Sequence, residues 1–159
     1  MNTQTTQPHS TLVVGLGNPI LGDDAAGWRV VEGLQVEGLP QGVETVCLAA
    51  GGLRLMEAML GYAHVVIVDA FYTPQRPVGT VFTCPMETIP APDAGHLSSS
   101  HDTSLPHALE MARRLGFSVP RRIDVVGIAA RVNLRLSDEL TPAIASAIPQ
   151  AKETVRRLL

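Results

Sequence analysis

Residues 64–70 read HVVIVDA, an unbroken β-branched run that ends in an acid, Asp69. A strand with one wet face alternates polar and apolar residues, whereas a run without polar partners needs cover on both faces. That requirement leaves few architectures: the strand must lie inside a sandwich, and sheets covered on both sides are mostly parallel with helices as connections.

The rest of the chain supplies those layers. TLVVGLG (11–17) reads as a strand ending in glycines, and DDAAGWRVVEGL carries Gly27, Val30, Val31 and Leu34 at helical spacing. Strand VETVCLAA (43–50) precedes helix GGLRLMEAML (51–60), and GTVFTCPM (79–86) reads as a strand near an edge. SLPHALEMARRLG (104–116) puts Leu105, Ala108, Leu109 and Ala112 on one stripe, with Gly116 as its stop. RIDVVGIAA (122–130) is a fifth strand, and the tail from Leu136 to Leu159 is helical, with Pro142 and Pro149 restarting it. The expected fold is therefore α/β: a three-layer sandwich with a mostly parallel, roughly five-stranded twisted sheet flanked by helices. FYTPQRPV (71–78) and PMETIPAPDAGHLSSS (85–100) read as loops, and one as long as the second is usually functional or mobile.

Totals narrow the function classes. The 159 residues suit one domain over 11–159 behind a disordered polar tail, MNTQTTQPHS. A net charge of −3 lacks the basic footprint of a nucleic-acid binder. Cys47 and Cys84 stand far apart in no metal spacing and read as reduced core residues of an intracellular protein. The tail has no basic n-region, and no run approaches the roughly 20 apolar residues of a bilayer span, so a cytoplasmic location without a membrane partner is expected.

Ligands of open α/β sheets bind outside the carboxyl ends of the strands. Asp23 and Asp24 follow the first strand, Asp69 ends the third, and His101 stands at the mouth of the 104–116 helix. Carboxylates with an imidazole suit a divalent transition metal such as zinc, nickel or iron. Each residue also has a plain structural reading: Asp23 or Asp24 as cap of the first helix, Asp69 in a loop hydrogen bond, His101 as a first-turn residue in SSSHDTS. His9, His64, His96 and His107 read as surface or loop residues, and Trp28 and the methionines as core. A Rossmann-like module holding a nucleotide at GLGNP is the rival. It is weakened by Ile20 at the third glycine position of G-x-G-x-x-G and by the lack of an acid ending the second strand. G-x-S-x-G and H-E-x-x-H are absent.

Taken in order, GLGNPILGDDAAG, VVIVDA, SSSHDTSLPHALEMARRLG, VVGIAA and LSDELTPAIASAIPQA resemble the nickel–iron hydrogenase maturation proteases, over nearly the whole chain from residue 12. The resemblance implies an endopeptidase that trims the C-terminal extension of a hydrogenase large-subunit precursor after metal loading. It implies catalytic and metal-contacting roles for Asp24, Asp69 and His101, with Asp23 as a cap or supporting acid and Gly17, Asn18, Gly51 and Gly52 near the substrate. It further implies nickel supplied by the precursor, with zinc as another candidate. Because the three candidate ligands lie on separate loops and ordering a loop on a metal alone is entropically costly, the isolated protein, expected to be a monomer, should bind metal weakly. One departure bears on substrate choice: Ala50 and Leu53 flank the two glycines where relatives often carry Asp and Thr.

Overall fold

The computed structural model of the chain describes residues 11–88, 104–132 and 135–159. The expectations for the tail 1–10, for 89–100 of the long loop, for His9 and His96, and for His101 fall outside the described residues.

Among the described residues the strands are β1 (Thr11–Leu16), β2 (Val43–Leu48), β3 (His64–Tyr72), β4 (Val81–Pro85) and β5 (Arg122–Ala130). They form one sheet in the order β2-β1-β3-β5-β4. All neighbours are parallel except β4, which runs antiparallel to β5 at the edge. The helices are α1 (Ala26–Glu37), α2 (Gly52–Met59), α3 (Leu105–Arg114) and α4 (Pro142–Leu158).

The β3 run explains the layering. Its odd and even positions face opposite ways, so Val66 and Val68 join one core with Val30, Val31 and Leu34 of α1 and Ile144, Ala151 and Val155 of α4. Val65 and Ile67 join the other, with Leu55 and Met59 of α2 and Leu105 and Leu109 of α3. The expected α3 stripe is buried at all four positions. From β1 the chain passes through α1 to β2 on one side, then returns through α2 to β3 on the other. The order therefore reverses between β1 and β3, and the crevice where such sheets bind ligands lies there.

Several local expectations change. Phe71 and Tyr72 belong to β3, because β5 pairs with them opposite Ala129 and Ala130. The expected long loop begins with the end of β4 and a 3-10 turn, Met86–Thr88. The tail does not restart at two prolines: Pro142 opens α4, Pro149 lies inside it, and Ser137 instead forms a parallel bridge with Leu21. Pro149 is exposed, so its missing N–H and its ring face solvent rather than the core. His64 is not a loop residue: it opens β3 and its Nε2 lies 2.7 Å from Asp124 Oδ2. Trp28 is half-buried, donating its indole N–H to the Leu48 carbonyl at 3.2 Å, and Met111 is exposed. Cys47 and Cys84 are free and half-buried on opposite edge strands, and burial pushes the Cys47 thiol up to about 11.

Candidate active site

The glycines that end β1 set the geometry. A Cβ on Gly15 would stand 2.6 Å from the Gly27 carbonyl oxygen, and one on Gly17 would stand 1.8 Å from that of Asp24. Gly17 also has φ 128°, a conformation that side chains rarely adopt. The loop therefore folds back onto itself and brings residues 22–27 against the strand ends. Gly22–Ala25 form one 3-10 turn that leads into α1.

Both acids in that turn are buried, and the N-cap position of α1 is taken by Ala25 rather than by either of them. Asp23 reaches across the chain instead. Its Oδ1 accepts the backbone N–H of Thr141 at 2.7 Å, and its Oδ2 accepts the Thr141 hydroxyl at 2.9 Å. Thr141 is the N-cap residue of α4, so Asp23 satisfies an orphan donor at that helix start. Asp23→Ala strands both donors and is expected to cost about 2–3 kcal/mol in urea unfolding. A loss below about 0.5 kcal/mol would mean that water serves Thr141 equally well.

Asp24 turns toward the sheet. Its Oδ2 accepts the Asn18 backbone N–H at 2.7 Å, and its Oδ1 accepts the Tyr72 hydroxyl at 3.1 Å. The Asn18 side chain accepts the N–H of Ile20 at 3.2 Å and holds the turn. A dinucleotide loop would offer that Asn18 N–H to phosphate, whereas here a carboxylate takes it.

Asp69 lies one residue beyond Val68, which is paired with Gly15 of β1. Alternation points it to the α2/α3 side and Tyr72 to the α1/α4 side, so the two approach Asp24 from different faces of the rim. Asp69 keeps some solvent access, but burial and the nearby Asp24 charge push its carboxyl up to about 8, partly opposed by the Ala70 N–H. Burial, then Asp24, Asp69 and Asp23, hold Tyr72 well above the usual phenol range, so it remains a donor. Among the described residues no group of three His, Cys, Asp or Glu could hold a metal ion. Asp24 lies within electrostatic reach of Asp69, Asp23 is diverted to α4, and His101 lies outside the described residues.

The raised Asp69 value has a thermodynamic sign. Between its ordinary 3.8 and about 8, the unfolded chain has released a proton that the folded chain keeps. The stability from this group is fully present below that window and is lost as pH rises through it. Asp69→Asn is therefore expected to match wild type near pH 4 and to exceed it by about 1–3 kcal/mol near pH 8. Urea unfolding at both pH values reads the difference, and equal stability near pH 8 would contradict it.

Of the remaining expected residues, Gly51 is exposed and precedes α2, while Gly52 is buried with φ 53°. Leu53 is exposed beside them, as is Ile20 in the β1 loop. A cavity of about 510 Å³ lined by Gly22, Asp23, Arg135, Leu136, Ser137, Glu139, Leu140 and Thr141 opens nearby. Asp24 and Asp69 do not line it, so their pair belongs to the β1/β3 rim. Tyr72 went unnoticed in the sequence because it stands in a proline-containing stretch, and only pairing with β5 makes it a strand residue.

Comparisons with known proteins place the chain as a whole. Residues 28–158 match the family model described as hydrogenase maturation protease. The chain is similar to the hydrogenase 2 maturation protease of Escherichia coli K12, 32% identical over 145 residues, covering 91% of this chain and 87% of that one. It is also similar to the hydrogenase expression/formation protein HupD of Rhodobacter capsulatus, 28% identical over 157 residues, covering 96% and 72%. Among solved structures, the hydrogenase maturating endopeptidase HybD of E. coli superposes with a TM-score of 0.77 at 31% identity, covering 94% of this chain and 91% of that one.

Proposed function

The chain belongs to the hydrogenase maturation protease family and is thus a peptidase, and we propose that it removes the C-terminal extension of a nickel–iron hydrogenase large-subunit precursor after metal loading. One observation supports the reading: Asp24, anchored by the Asn18 N–H in the loop that follows β1, lies near enough to Asp69 of β3 for its charge to help raise the Asp69 carboxyl. Neighbouring carboxylates are relieved by a divalent cation, and oxygen donors joined by an imidazole suit nickel or zinc. In this proposal Asp24, Asp69 and His101 engage nickel already seated in the precursor, which is substrate rather than resident cofactor.

The precursor's nickel supplies Lewis acidity, polarising the scissile carbonyl and making a water nucleophilic near neutral pH. The chain's own part is positional. The Asn18 N–H fixes Asp24, the Asp69 carboxyl gives up its proton on engagement, and Asp23 keeps the carrying turn against α4. Exposed Ile20 and Leu53 offer apolar contact to the incoming substrate. The protein acts in the cytoplasm as a monomer in this proposal. No helix among the described residues is long and apolar enough to cross a membrane.

Incubation with precursor carrying or lacking nickel, followed by intact-mass measurement, tests the function. Loss of a C-terminal peptide from the loaded form alone is expected, and a precursor left whole in both forms would defeat it.

A further inference from the structure

We propose that Tyr72 is a positioning residue that sets the orientation of the Asp24 carboxylate for the cleavage reaction. The inference rests on the function proposed above and adds a residue that the sequence motifs do not contain.

The hydrogen bonds that Asp24 accepts from Asn18 and Tyr72 differ in kind. The Asn18 N–H belongs to the backbone of a tight turn and anchors Oδ2 at 2.7 Å. A hydrogen bond to one carboxylate oxygen does not by itself fix the plane of the group. The Tyr72 hydroxyl, 3.1 Å from Oδ1, removes this freedom by holding the other oxygen. Tyrosine suits the task because its ring is rigid beyond two torsions. Here the ring packs against the core shared by α1 and α4, with the hydroxyl at the rim. The parallel pairing of Tyr72 with Ala130 of β5 fixes the backbone from which the ring projects.

The donor is also neutral. A lysine or arginine would hold Asp24 as firmly, but its positive charge would oppose an approaching cation. A phenol orients the carboxylate and leaves its charge in place. Each carboxylate oxygen offers two lone pairs, so the bond to Tyr72 is compatible with Oδ1 also meeting a cation.

Tyr72→Phe removes the hydroxyl and keeps the ring. With nickel-loaded precursor, kcat is expected to fall about 10- to 100-fold, the effect of losing one hydrogen bond to a charged group. KM and the urea midpoint should stay within about twofold and within error of wild type, respectively. An unchanged kcat, or a loss confined to KM or stability, would assign Tyr72 a merely structural role and overturn the proposal.

Calorimetric titration of the free protein with Zn²⁺ alone gives a readout independent of cleavage. Wild type is expected to bind about tenfold more tightly than Tyr72→Phe. Equal affinity, including no measurable binding by either protein, would overturn the proposal. Precursor left whole by the wild type would defeat the proposed function, whereas equal cleavage by both proteins would defeat the role of Tyr72 alone.

Discussion

Asp24→Asn is expected to cleave nickel-loaded precursor on the order of 1,000-fold more slowly than wild type, with stability changed by less than about 1 kcal/mol. The separation of the two effects follows from the local bonding. The amide oxygen of the variant can accept the Asn18 N–H as Oδ2 does now, and the amide nitrogen can donate to the Tyr72 oxygen. Both links survive with one reversed in polarity, so the turn keeps its shape. What disappears is the negative charge offered to a cation. The Asp69 carboxyl should also fall below about 8, since the Asp24 charge is one cause of its elevation. Activity measured beside urea unfolding checks both halves. A variant that cleaves within tenfold of wild type would remove Asp24 from the reaction.

The largest stability effect is expected at Gly27. Alanine normally favours a helix over glycine by about 1 kcal/mol, and Gly27 lies in the first turn of α1. Here the sign reverses. A Cβ at this position would stand 2.3 Å from the Val68 carbonyl oxygen and 2.5 Å from that of Leu16. Both atoms belong to central strands and cannot yield without moving the sheet. Gly27→Ala should therefore destabilise by about 3 kcal/mol or more, measured by urea unfolding. Gly33, further along the same helix, is the control. The nearest atoms to its Cβ would be those of the Lys152 side chain, at 2.9 Å, and that flexible stem can move aside. Gly33→Ala should stay within about 1 kcal/mol of wild type. Equal effects at the two sites would mean that helix propensity, rather than contact with the strands, governs Gly27.

These glycines show what the sequence made legible. The β3 run announced cover on two faces, and the 3.6-residue stripes of α1 and α3 named the residues that supply it. Asp69 was readable as the acid near the end of a buried parallel strand, and Asp24 as one of two acids in the loop that follows β1. The errors concern partners distant in sequence. Two adjacent aspartates look alike locally, and nothing near residue 23 indicates that Thr141, 118 positions away, will claim one of them. Tyr72 follows the same logic, since its strand character depends on β5. Pro149 suggests a helix restart, but it lies inside α4, where an exposed helix face tolerates its ring.

The tie between Asp23 and Thr141 also bears on the order in which the molecule is completed. It joins an early loop to a late helix, and the contacts of Gly22 and Ile20 with Ser137 span almost as much chain. Contacts of such sequence separation close late, because a long loop must be ordered before any is made. A nascent chain that has emerged only through β5 has every strand of the sheet, but nothing yet holds the turn bearing Asp24 from the α4 side. The turn that carries Asp23 and Asp24 therefore gains these long-range anchors only when α4 docks. The final placement of the stretch that bears both acids thus waits on a helix more than a hundred residues further along the chain.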